Sequence, residues 1–152
     1  MLAPSAQPPN YRFWCDDVWY EKNVIHEFAH VALRQLWGTI YNNNPPFWVS
    51  EGLPEYISVF MSTPAIRQKY ITYDQEIRRA KVNGDPVFGL TPGTSYGIAA
   101  MYVRFLEETY GKGTVLQILR FNGTLGDAYR QVTKDTPEEI RRKWEEWVNR
   151  NF

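Results

Sequence analysis

Apolar and polar positions along the chain fall into a succession of segments with a helical period. Ile25, Phe28, Ala29, Ala32, Leu33 and Leu36 recur at i, i+3, i+4, i+7, i+8 and i+11, the spacing of one apolar helix face. That period predicts a first helix from about Val18 to Trp37, with Asp16 or Asp17 as N-cap and Gly38 just past its end. Asn42-Asn43-Asn44 and Pro45-Pro46 interrupt the pattern, so Gly38 to Pro46 reads as a loop. Leu53, Tyr56, Ile57, Phe60 and Met61 restore the 3–4 spacing and predict a second helix, capped by Ser50, with Pro54 near its first turn. A third helix runs from the Thr63-Pro64 cap to about Val82, with Ile66, Tyr70, Tyr73 and Ile77 turned inward, and stops at Asn83-Gly84-Asp85-Pro86. Thr94 or Ser95 caps a fourth that ends at Tyr110 before Gly111. Shorter helices follow over Thr114 to Phe121 and Leu125 to Thr133. The last opens on the capping box Thr136-Pro137-Glu138-Glu139 and buries Ile140, Trp144, Trp147 and Val148.

Strand candidates are few: the aromatic run Tyr11 to Cys15, and Val87 to Gly93 as a loop or one short strand. The expected fold is therefore mainly α, or α+β with at most a small residual sheet. Residues 11–152 are expected to form one domain behind a Pro-rich arm, residues 1–10.

Composition narrows the function classes. An apolar fraction of 43% with 22% charged residues is that of a globular chain. Lys plus Arg equals Asp plus Glu at 17 each, so no basic excess points to a nucleic acid. No run reaches the ~18 apolar residues of a membrane span. Met1 to Asn10 lacks the basic and apolar regions of an export signal. Cys15 is the single cysteine, which excludes an intrachain disulfide and a thiolate metal cluster.

The chemistry gathers in His26-Glu27-Phe28-Ala29-His30, which holds both histidines of the chain. On a helix, residues four apart project from the same side, so the two imidazoles can share one Zn²⁺ at roughly 2.0–2.1 Å each. Glu27 points to a neighbouring face, where a general base for a zinc-activated water belongs. A catalytic zinc takes three protein ligands. With no third histidine and no usable cysteine, the third must be a carboxylate, and Glu51 is the best placed. The twenty residues 31–50 suffice to finish the first helix, turn, and bring a second one back antiparallel. Glu51 and Glu55 then stack at i, i+4, a like-charge repulsion that a cation beside them would relieve.

These residues resemble a family. His26-Glu27-Phe28-Ala29-His30 followed by Trp48-Val49-Ser50-Glu51-Gly52-Leu53-Pro54-Glu55-Tyr56 is similar to the gluzincin metallopeptidases, in particular the peptidase MA-like group and the core of the M1 aminopeptidases. The resemblance implies a gluzincin-type core, a peptide or protein substrate as partner, and one zinc per chain, with His26, His30 and Glu51 as ligands and Glu27 as base. It makes Glu55 a partner that orients a ligand histidine. Thr94-Ser95-Tyr96-Gly97-Ile98-Ala99-Ala100 resembles the tyrosine-bearing helix of these enzymes and implies that the Tyr96 hydroxyl stabilises the oxyanion. The G-x-M-E-N motif for a free amino terminus is absent, so an endopeptidase is expected over an aminopeptidase. Only 25 residues precede His26, which leaves no room for most of the N-terminal sheet of these enzymes. The competing expectation is a zinc-binding but latent or non-catalytic domain that acts as a binding or structural module.

Overall fold

The computed structural model describes residues 17–36, 44–69, 73–84, 90 and 94–152, and among these there is no strand. The helices are α1 (Asp17–Leu36), α2 (Leu53–Phe60), α3 (Pro64–Lys69), α4 (Tyr73–Asn83), α5 (Tyr96–Tyr110), α6 (Thr114–Arg120), α7 (Leu125–Thr133) and α8 (Pro137–Asn151). A five-residue π-helical turn, Trp48–Gly52, runs straight into α2. The mainly α expectation holds. The 1–10 arm, the Tyr11–Cys15 strand, the Asp16 and Gly38 caps, the Trp37 end, Tyr70 and the Val87–Gly93 segment lie outside the described residues.

The chain after residue 93 follows local signals closely. Ser95 caps α5 by accepting from the Ile98 amide (3.1 Å), and Gly111, at φ 101°, takes the conformation after Tyr110 that a side chain would resist. Thr124 caps α7, and Thr136 and Glu139 form both halves of the capping box on α8. α5 is buried from Gly97 to Leu106 at every position but Arg104, and the π turn, α2, α4, α6 and α8 pack against it. Trp48 and Trp144 both meet the Tyr102 ring on it edge-on, at 5.5 and 5.4 Å between centroids. Every helix contributes buried residues to the same core.

Three expectations are corrected. Ser50 does not cap the second helix; it lies inside the π turn, and its Oγ donates back to the Phe47 carbonyl. The cause is Pro54. Proline has no N–H, and in a regular helix its ring would clash with the carbonyl four residues back. Here the Leu53 amide reaches five residues back to the Trp48 carbonyl, and the widened turn ends where the proline begins. Glu51 rides on that turn.

The apolar stripe expected on α1 is also rotated. Ala29 and Leu33 are buried and Ile25 partly so, but Ala32 is exposed and Phe28 is 70% exposed. The burial of Leu36 lies outside the described residues. The inward line is Lys22, His26, Ala29 and Leu33, because Lys22 and His26 both bond to Glu55 on α2 and turn their side of the helix toward it. Residues 64–82, expected as one helix, are α3 and α4, with 70–72 between them outside the described residues.

Candidate metal centre

α1 and α2 run antiparallel, as their contacts establish: Lys22 meets Glu55 near one end of the pair, and His30 meets Glu51 a turn further on. This brings the expected ligands together. His26 Nε2 lies 3.1 Å from His30 Nε2 and 3.5 Å from Glu51 Oε2, and His30 Nε2 lies 3.6 Å from Glu51 Oε2. Two bonds of roughly 2.0–2.1 Å at a tetrahedral angle hold their donor atoms about 3.3–3.4 Å apart. The three separations bracket that value, and His26, His30 and Glu51 are the group among the described residues able to hold a metal ion. Two imidazole nitrogens and one carboxylate oxygen are a zinc donor set.

The tautomer of His26 follows from its other nitrogen. Nδ1 lies 2.8 Å from Glu55 Oε2, and a carboxylate can only accept, so Nδ1 carries the hydrogen and donates. In the neutral ring that leaves Nε2 as the nitrogen with the lone pair, and it faces His30 and Glu51. Burial pushes the Glu55 carboxyl up. The hydrogen bond from His26, the Lys22 charge and the bonds from Lys22 and Tyr73 outweigh that and hold it below the usual carboxylate range.

Tyr96 opens α5 one residue after the Ser95 cap, and that cap is braced in turn: Ser95 Oγ donates to Glu76 Oε2 on α4 at 2.8 Å. The Tyr96 ring stacks on His26 (5.9 Å between centroids, 4° between planes) and leans on Phe47 at 5.6 Å. It remains 47% exposed, so the site is open on this side. Burial, then the charge of Glu51 and a hydrogen bond to it, then the charges of Glu55 and Glu27 push the phenol above its usual range. Tyr96 is therefore a protonated donor at neutral pH. Glu27 is exposed and near enough for its charge to act on that phenol.

The closeness of α5 depends on two glycines. A Cβ on Gly52 would sit 2.7 Å from the Ala99 backbone. One on Gly97 would run into the Tyr73 ring. Gly52 thus lets the Glu51 turn press flat against the helix that carries Tyr96.

Lys22 and Tyr73 escaped the sequence reading. Lys22 lies one helical turn before His26, a spacing legible in the sequence, yet lysine is ordinarily a surface residue. Tyr73 read as core; its hydroxyl in fact donates to Glu55 Oε1 from α4. The chain was compared with protein-family models, with curated proteins and with solved structures, and it matches none of them.

Proposed function

We propose that this chain is a zinc-dependent peptidase of gluzincin type that hydrolyses peptide bonds, more as an endopeptidase than an aminopeptidase. The observation that carries the reading is the convergence of His26, His30 and Glu51 donor atoms at 3.1–3.6 Å, with the buried His26 anchored from behind by Glu55. In this reading the three side chains hold one Zn²⁺. The ion would supply Lewis acidity, polarising a peptide carbonyl and acidifying water toward a pKa of about 7.

The chain's own residues do the rest. Glu55 fixes the His26 ring and tautomer through Nδ1. Glu27, exposed beside the ligands on α1, accepts a proton from the attacking water and returns it to the leaving amine. Tyr96, protonated and stacked on His26, donates a hydrogen bond to the oxygen that gains charge. The open side beside Tyr96, with no amine-capturing motif legible in the sequence, favours internal segments of a substrate.

Cleavage of a mixed peptide library by the zinc-loaded protein, read by mass spectrometry beside Glu27→Gln, tests this directly. Internal cuts are expected from the wild type and none from Glu27→Gln or in the presence of chelator, with zinc still bound to the mutant. Removal of single N-terminal residues would make it an aminopeptidase. Silence with one zinc bound would leave a latent or non-catalytic zinc domain.

A further inference from the structure

Lys22 has its ammonium 2.5 Å from Glu55 Oε2, the same oxygen that accepts from His26 Nδ1 at 2.8 Å, and only 7% of the residue is exposed. Taking a lysine charge out of water is costly, and an apolar side chain of similar volume often serves stability as well or better. The pair therefore calls for a reason beyond packing. Glu55, 3% exposed, is filled from both sides: Lys22 and His26 from α1 meet Oε2, and Tyr73 from α4 meets Oε1. Donors from two helices thus fix both oxygens of one carboxylate, leaving it one orientation, and that orientation aims His26 Nε2 at His30 and Glu51.

The geometry points to Lys22 as a positioning residue for the metal centre: it tethers Glu55 so that the His26 ring stands fixed with Nε2 turned toward the ligand set. The inference rests on the zinc reading above and adds to it a residue that does not touch the metal. Removing the ammonium leaves Oε2 with one donor where it had two. Glu55 then loses its alignment, and the His26 ring is released with it.

The test is zinc affinity by chelator competition for wild type, Lys22→Met, Lys22→Arg, Glu55→Gln and the Lys22→Met/Glu55→Gln double variant. Lys22→Met is expected to weaken zinc binding about 10–100-fold, the usual effect of losing a partner behind a ligand. Lys22→Arg keeps a charged donor and restores most of it. Glu55→Gln keeps an acceptor for Nδ1 but needs no counter-charge, so in that background Lys22→Met adds little, a non-additive cycle. A folded Lys22→Met protein with wild-type zinc affinity would overturn the inference. So would equal effects of Lys22→Met in both backgrounds; if Lys22→Met alone does not fold, failure of Lys22→Arg to hold zinc affinity above that of Glu55→Gln, or a further tenfold loss from Glu55→Gln to the double variant, overturns it.

A second readout needs no metal. The chain has two histidines, so ¹⁵N NMR of the metal-free protein resolves His26 readily. Wild type should show a single tautomer protonated on Nδ1, and Lys22→Met an average of the two. No zinc binding by wild type, together with this change, would remove the zinc reading and keep the role of Lys22. Zinc binding with an unchanged ring in Lys22→Met would do the reverse.

Discussion

Tyr96 and Asp135 carry different burdens, and their surroundings say which. Tyr96 has its ring on His26 and its hydroxyl beside the Glu51 carboxylate, with burial and three carboxylates keeping the proton on. Tyr96→Phe should therefore lower kcat by about 10²–10³-fold, the loss of one oxyanion donor, with zinc affinity and KM nearly unchanged. Steady-state kinetics beside metal titration checks both halves. Asp135 works on stability instead. It accepts from Lys143 and, at 2.6 Å, from Tyr110, which hold its carboxyl below the ordinary value of 3.8. A carboxyl with a depressed pKa in the fold stabilises above its unfolded value, and that stability is lost as pH falls through the folded one. Asp135→Asn should thus be less stable than wild type at pH 7 by urea denaturation, with the gap closing as the pH drops below 3.8.

Among the elements, the π turn and α5 form the joint on which the site depends. Glu51 reaches the histidines because Pro54 ends a widened turn, and Tyr96 reaches His26 because Gly52 lets α5 come close. Gly52→Ala should cost about 1–3 kcal/mol through overpacking against the Ala99 backbone, and should weaken zinc binding as the turn is pushed off α5. A change of similar size elsewhere should leave the metal alone. Thr136→Ala removes the capping box of α8, whose bonds join Thr136 and Glu139 to each other, and should cost about 1 kcal/mol with unchanged zinc affinity. Comparing the two by thermal melts and chelator competition separates damage to the joint from damage to the fold.

Over the whole molecule, the proposed zinc would couple to the fold. The proposed ligands come from α1 and from the turn before α2, and that turn packs on α5, the most buried helix of the core. An ion held between them favours the folded state by mass action. Zinc at a free concentration 100 times its Kd should add about 2.7 kcal/mol, visible as a rise in Tm that chelator reverses. His30→Ala should fold but show no such rise. Among the described residues no helix is long and apolar enough to cross a membrane.

The helical period, the caps of α5 and α8, and the two histidines one turn apart were all legible in the chain, because each depends on residues within a turn or two of one another. Glu51 was legible as a candidate third ligand by elimination and by its spacing from His30, since a catalytic zinc would need three and a chain with two histidines must find one elsewhere. Other features were decided only in three dimensions. The buried face of α1 is set by a carboxylate on another helix, so a periodicity rule that counts apolar residues placed Phe28 inside, where the fold exposes it. Lys22 and Tyr73 became partners of Glu55 only when α1, α2 and α4 met around it. Local sequence determines what a segment can be; the donors that one buried carboxylate requires determined which side of α1 faces in.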